Sequence, residues 1–187
     1  MEDNIRLTFP KSERLRHKSL VDGLFADGKK KFDYPLRMLF KTWTEEELRD
    51  SFKVGVPDRM APLQVMITIP KRKIRHAVDR VLLRRRVREA WRLNRRALRE
   101  VIDCNPEIRL MGVALVYMAD EVLPIERIEG KVRKLIAHLS AAAASGTGTM
   151  SVKVQKHPED HKAGGAEKGG KKNDGGKKND GGKKNDG

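Results

Sequence analysis

Alternation of apolar and polar residues predicts that several segments of the chain are strands. In 35–44 and in 63–69 apolar side chains recur at every second position, which is typical of a strand with one buried face. The segment 108–117 is apolar almost throughout and rich in β-branched residues, as expected of a strand buried on both faces. Between the first two strands, 45–62 is mixed in character and predicts at most a short strand at 52–56.

Three other segments have the three-to-four residue spacing of amphipathic helices. The first is short, with Ser19 as its candidate N-cap and Gly28 just after its last turn. The longest covers 71–101, and the third follows Pro124 and runs to Leu139. Together these segments predict an α+β fold in the order α-β-β-α-β-α, with a small central sheet and the long helix packed on it.

The composition changes abruptly after Leu139. Residues 140–187 hold 11 of the 16 glycines, no aromatic residue and three consecutive copies of GGKKND. Such a segment cannot bury enough apolar surface to offset the entropy of ordering it. We therefore divide the chain into a folded domain, 1–139, and a disordered low-complexity tail, 140–187. A solubilising role for the tail is favoured over an auxiliary electrostatic tether to RNA.

The charge of the chain narrows its class of partner. Lys and Arg number 41 against 26 Asp and Glu, and 1–139 alone carries a net charge of +11. The single cysteine, Cys104, excludes an internal disulfide framework and a cysteine-based zinc site. The chain has neither an apolar run of membrane-spanning length nor an apolar signal region near Met1. We expect a basic cytoplasmic protein that binds polyanions, nucleic acid first and no membrane.

The segment 71–99 concentrates this charge, since it carries 13 Lys and Arg and only two acidic residues. At about 100° per residue most of its arginines fall in one arc of the helix and its apolar residues in another. Two carboxylates cannot neutralise that basic arc, whereas phosphates can bind each planar guanidinium through two hydrogen bonds. A second phosphate site is expected at the strand-to-helix junction 71–73. The apolar arc comprises Leu83, Val87, Ala90, Trp91, Asn94, Ala97, Leu98 and Val101.

At this point the residues resemble the signature of the protein subunit of bacterial ribonuclease P. The resemblance covers about 5–139, where Phe9-Pro10-Lys11 and the segments described above follow in the family's order. One departure is at 80–82, where Arg80-Val81-Leu82 replaces the Arg-Asn-Arg that is usual in the family. The matching motifs are IPKRK at 69–73, AVDR at 77–80 and RRRVREAWRLN at 84–94.

The resemblance implies both a fold and a function. The fold is that of the second domain of ribosomal protein S5, with an unusual left-handed βαβ crossover. The function is that of an accessory subunit in the endoribonuclease that removes the 5′ leader from precursor tRNA. The RNA subunit carries the catalysis and holds most of the Mg²⁺, while the protein binds that RNA and contacts the leader through a cleft beside the sheet. No other protein partner, and no catalytic or metal-binding residue of the chain itself, is expected.

Two groups of candidate site residues follow. Aromatic faces can stack on the unpaired bases of the leader, although a place in the core explains Phe25 and Phe40 equally well. The candidates for the cleft are Phe25, Phe32, Tyr34 and Phe40. The candidates for binding RNA are Lys71, Arg72, Lys73, Arg80, Arg84, Arg85, Arg88, Arg92 and Arg95.

Two other classes of function compete with this interpretation. A basic ribosomal or other structural nucleic-acid-binding protein would present a similar arginine stripe, because phosphate contacts carry little sequence information. A membrane-surface protein could use a basic amphipathic helix. The second alternative is weaker, because two neighbouring strands need the apolar arc of the helix as cover.

Overall fold

Residues 9–145, the part of the chain that this computed structural model describes, form four strands and five α-helices. The GGKKND repeats lie outside these residues. The helices are α1 (Lys18–Asp27), α2 (Glu45–Asp50), α3 (Ala77–Asn94), α4 (Arg96–Asp103) and α5 (Ile125–Ala144). The strands are β1 (Lys29–Asp33), β2 (Leu36–Trp43), β3 (Leu63–Thr68) and β4 (Leu110–Tyr117).

The strands form one mixed sheet in the order β1-β2-β4-β3. β1 pairs with β2 and β2 with β4 in antiparallel fashion, whereas β3 and β4 are parallel. The parallel pair needs a crossover, and α3 and α4 provide it. The α+β class is therefore confirmed, and the six predicted segments follow in the predicted order, with β1 and α2 as additional elements and the long helix divided into α3 and α4. The left-handedness of the crossover stays a prediction.

The period of two along each strand separates two hydrophobic layers. On one side of the sheet, Met38 and Val113 pack with residues of α3, α4 and α5, and we call this the three-helix face. On the other side, Leu39 and Trp43 pack with residues of α1 and α2, and we call this the α1 face. Gly112 lies on the α1 face, where a Cβ would come within 2.7 Å of the Trp43 ring, so only glycine fits there.

Two elements near the N-terminus differ from the sequence prediction. α1 begins at Lys18 with His17 at its N-cap, so Ser19 lies within the first turn. β1 was not predicted, because three of its five residues are lysines. Lysine is tolerated there because β1 is an edge strand, and charged edges discourage pairing with other chains.

The segment 45–62 begins with the helix α2, whereas the sequence analysis expected at most a strand at 52–56. Thr44 accepts a hydrogen bond from the Glu47 N–H, and the Glu47 carboxylate accepts one from the Thr44 N–H. This capping box starts α2 directly at the end of β2. No strand is present at 52–56, so that prediction was wrong.

The long basic helix predicted over 71–101 is two helices preceded by a turn. The backbone N–H groups of Lys73 and Ile74 both donate to the Pro70 carbonyl, which delays the start of α3 until Ala77. At the other end, the Asn94 side chain donates to the Ala90 carbonyl, and α3 gives way to α4 at Arg95. The interruption turns Ala97 of the predicted apolar arc outward, whereas Leu98 is buried.

The last helix continues past the predicted domain boundary at 139. α5 extends to Ala144, and Ala143 is buried in the core. The Asn105 side chain donates to the Ala143 carbonyl at 2.9 Å, which ties the end of α5 to the loop before β4. The remainder of the predicted tail lies outside the described residues.

Candidate nucleic-acid interface

α3 is held against the sheet by an apolar face that matches the predicted arc. Leu83, Val87, Ala90 and Trp91 are all buried in the three-helix layer. These four residues lie on one side of the helix, because successive members are three or four positions apart or adjacent. Their burial fixes the rotation of the helix about its axis. The arginines on the remaining circumference are consequently presented away from the core.

Four arginines form a cationic cluster without a matching acid. Arg84, Arg85 and Arg88 lie on one side of α3, and Arg14 lies close enough to interact electrostatically with Arg88. Among residues 9–145 no carboxylate comes within 4.0 Å of any of the four guanidiniums. Burial, reinforced by repulsion from Arg14, Arg84 and Arg85, lowers the pKa of Arg88. The Arg88 Nε is buried and has no hydrogen-bond partner among residues 9–145.

The N-terminal segment brings Arg14 to this cluster. Arg14 forms a parallel bridge with Val65, and the Leu15 N–H donates to the Val65 carbonyl at 3.1 Å, so this segment lies along the outer edge of β3. The Arg14 guanidinium is 5.7 Å from the centre of the Phe9 ring. Sequence reasoning did not include Arg14 among the RNA contacts, because no local pattern indicates that 9–15 pairs with a strand some fifty positions away.

Three of the predicted RNA contacts are held by interactions within the chain. Arg92 donates from Nε to Glu89 at 2.9 Å, and this hydrogen bond lowers the pKa of Glu89. Lys73 is 3.0 Å from Asp120. Arg80 donates to the carbonyls of Ile74 and Arg75 at 3.0 and 2.7 Å, which fastens the junction to the first turn of α3. Arg80 therefore holds the junction in position.

Arg95 does not join the exposed stripe as the sequence suggested. Its side chain is only 12% exposed and forms an ion pair with Glu13, which is buried. Arg99 also contacts Glu13, at 3.2 Å. The interruption between α3 and α4 explains the difference, because it turns Arg95 towards the N-terminal segment. Within the chain Arg95 therefore anchors that segment, and its predicted contact with RNA stays a prediction.

The strand-to-helix junction presents two further cations. Lys71 and Arg72 are exposed in the turn between β3 and α3, and no acid of residues 9–145 lies within 4.0 Å of either. They precede the start of α3, where unpaired backbone N–H groups favour anions. The junction and the cationic cluster together form a basic surface along α3.

The four aromatic candidates for the cleft separate into two groups. Phe25, Phe32 and Tyr34 are between 45% and 56% exposed. Phe40 is only 6% exposed, lies on the three-helix face, and packs edge-on against His138 of α5. Phe40 therefore belongs to the core and cannot stack on a base at the α1 face.

The strand pairing places Phe32 on the open end of the α1 face. Phe32 pairs with Arg37, Arg37 with Val116, and Val116 with Thr68, so these four side chains form one row across the sheet. Phe32 and Arg37 are exposed, while Val116 and Thr68 are partly covered. Because α1 packs on the same face, its exposed Phe25 is on the same side of the sheet. This surface combines aromatic rings with a guanidinium, a composition suited to unpaired nucleotides.

Two features are absent from the described residues: a group of metal-binding side chains and a membrane-spanning helix. Within 9–145 no three His, Cys, Asp or Glu side chains are grouped so that they could hold a metal ion. None of the helices in that range is both long and apolar enough to cross a bilayer.

Comparison with known proteins identifies the same family that the motifs suggested. The family model described as Ribonuclease P matches residues 9–123, which is more than half of the chain. The ribonuclease P protein component of Porphyromonas gingivalis is 27% identical over 136 residues, covering 72% of this chain and 88% of the relative. That of Chlorobaculum tepidum is 28% identical over 134 residues, covering 70% of this chain and 81% of the relative.

A solved structure of the Staphylococcus aureus RNase P protein also aligns with the chain. The alignment has a TM-score of 0.44 at 11% sequence identity and covers 67% of this chain and 94% of that one. The family assignment rests on the sequence match across 9–123, which includes both α3 and the junction. The chain belongs to the ribonuclease P protein family.

Proposed function

We propose that this chain is the protein subunit of a ribonuclease P holoenzyme that removes the 5′ leader of precursor tRNA. In this role it binds ribonuclease P RNA through the basic surface along α3. The observation that carries the proposal is the cluster of Arg14, Arg84, Arg85 and Arg88, which holds four positive charges without an acidic partner among residues 9–145. Such a cluster is stabilised when phosphates lie against it.

The leader of the precursor tRNA occupies the open end of the α1 face in this proposal. Phe32 and Phe25 stack on unpaired bases, and Arg37 binds a phosphate between them. Tyr34 is half exposed in the turn between β1 and β2. Mature tRNA has no leader to place there, so the surface favours precursor over product.

The chain's own part in the reaction is to bind and orient RNA. Mg²⁺ supplies the activated nucleophile and stabilises the leaving oxygen in two-metal phosphodiester hydrolysis. In the proposed holoenzyme the RNA subunit holds most of these ions. The cations of α3 and of the junction reduce the repulsion between two RNA molecules, which lowers the Mg²⁺ concentration that assembly requires.

A complementation assay tests the proposal directly. Ribonuclease P RNA is assayed for cleavage of precursor tRNA at low Mg²⁺, with and without the full chain. We expect the chain to restore cleavage at the 5′ end of the mature tRNA, and the chain without RNA to be inactive. A basic protein with only a structural role would bind the RNA but leave cleavage at low Mg²⁺ unrestored. Metal-dependent cleavage by chain freed of RNA would contradict the assignment of catalysis to the RNA subunit.

A further inference from the structure

The start of α3 carries an exposed aliphatic patch formed by Val78, Val81 and Leu82. These residues lie at positions i, i+3 and i+4, so their side chains are neighbours on the helix surface. Of the nine large hydrophobic residues exposed within 9–145, three lie here, and Val78 keeps 78% of its surface accessible. Single exposed aliphatics are ordinary, but a group of three on one helix face indicates a contact surface.

Cations border the aliphatic patch at both ends. Lys71 and Arg72 precede the first turn of α3, and both are exposed. Beyond the patch, Arg84 follows Val81 by three positions and Arg85 follows Leu82 by three, so both arginines lie one turn further along the same side. The surface therefore runs from cations to aliphatics to cations, and the part from Val78 to Arg85 is about 10 Å long.

This order of charges favours RNA over a second copy of the chain as the partner of the patch. A second copy of the chain would bring Arg84 and Arg85 against their own counterparts or against the junction cations, which is repulsive. An RNA helix presents the complementary order, because its wide and shallow minor groove exposes ribose and base edges between two phosphate backbones.

We propose that Val78, Val81 and Leu82 pack against the ribose surface of an RNA minor groove, while the cations at either end bind the two flanking backbones. The inference rests on the function proposed above, in which RNA is the partner. It assigns a role to the positions where Val81 and Leu82 depart from the family's polar pattern. The contact contributes affinity by excluding water from apolar surface, and so it does not release counterions.

The test uses Val81→Ala with Leu82→Ala in the full chain. Alanine removes apolar surface from exposed positions and keeps helix propensity high. Binding to ribonuclease P RNA is measured across a range of salt concentrations. We expect affinity on the order of tenfold weaker, with an unchanged slope of log affinity against log salt. Val54→Ala is the matched control, because Val54 is a fully exposed aliphatic residue outside α3, and it should leave affinity unchanged.

The charge variant Arg84→Gln with Arg88→Gln separates failure of this inference from failure of the proposed function. If that variant weakens binding while the alanine variant binds normally, the aliphatic contact is wrong and RNA binding by α3 stands. If neither variant changes affinity for RNA, both proposals fail. Circular dichroism of each variant confirms that the fold is retained.

Two further measurements identify the partner of the patch. The alanine substitutions should weaken binding to a short RNA duplex more than binding to a DNA duplex of equal length, because the minor groove of DNA is narrow. Equal losses on both duplexes would overturn the minor-groove assignment. The proposal also fails if the alanine variant keeps its RNA affinity but loses binding to phosphatidylglycerol vesicles, or changes from dimer to monomer in sedimentation.

Discussion

Glu13 and Arg95 form a largely buried ion pair that joins the N-terminal segment to the point where α3 ends. Removing one member of such a pair leaves an uncompensated charge in the interior, so Glu13→Gln should lower the free energy of unfolding by about 3 kcal/mol. Urea denaturation monitored by circular dichroism measures the loss. Glu100→Gln is the control, because Glu100 pairs with Arg96 at the surface and should change stability by about 0.5 kcal/mol. Equal losses of stability from the two substitutions would mean that the Glu13 pair contributes no more than a surface pair.

The salt dependence of RNA binding tests the cationic cluster. Each phosphate contact contributes about one unit to the slope of log affinity against log salt, so Arg84→Gln with Arg88→Gln should reduce its magnitude by about two. Filter binding to ribonuclease P RNA across salt concentrations gives this slope. Lys53→Gln changes an exposed charge in the loop after α2, and it should leave the slope nearly unchanged. An unchanged slope in the double variant, with the fold intact, would exclude the cluster as the RNA contact.

Much of the fold follows from local patterns, because an element that packs on the core needs apolar residues at the period of a strand or of a helix. Alternation over 63–69 and the apolar arc of Leu83, Val87 and Trp91 correspond to β3 and to the buried face of α3. The capping box of Thr44 and Glu47 is an equally local signal, and it marks the start of α2.

Other features depend on contacts between distant parts of the chain and leave no local signal. Lys29, Lys30 and Lys31 form a strand because β2 offers a free edge. Arg95 is indistinguishable from its neighbours in the sequence, and only the packing of the N-terminal segment beside α4 gives it a buried acid as partner. Sequence reasoning therefore located the basic helix but could not say which of its arginines are available to RNA.

Phe32 and Phe40 provide a matched test of the proposed leader surface. Phe32→Leu removes an exposed ring from the α1 face and should weaken holoenzyme binding of precursor tRNA by about tenfold, since stacking contributes about 1–3 kcal/mol per base. It should not affect the binding of mature tRNA or the stability of the protein. Phe40→Leu changes a buried ring and should cost about 1 kcal/mol of stability with no loss of discrimination. If Phe40→Leu alone reduced discrimination, the leader would not lie on the α1 face.

The end of α5 makes two truncations distinguishable. Ending the chain after Ser145 should leave the melting temperature unchanged, because the lost residues include no aromatic side chain. Ending it after Ser140 removes the buried Ala143 and its hydrogen bond from Asn105, which should cost about 1–2 kcal/mol. Calorimetry of the two truncated chains measures the difference. A large drop in melting temperature for the chain that ends at Ser145 would mean that residues after Ser145 contribute to the core. Both chains lose 10 lysines and should bind RNA slightly more weakly at low salt.

The junction cations should determine how much Mg²⁺ the holoenzyme requires. Lys71→Ala with Arg72→Ala removes two exposed charges that have no acidic partner among residues 9–145. Affinity for ribonuclease P RNA should fall on the order of tenfold at physiological salt. The Mg²⁺ concentration for half-maximal cleavage should rise, because Mg²⁺ must then screen repulsion that the two side chains had offset. Lys53→Ala with Arg59→Ala changes the net charge equally in the loop between α2 and β3, which lies outside the proposed interface. If both double variants raised the requirement alike, net charge and not the junction would be responsible.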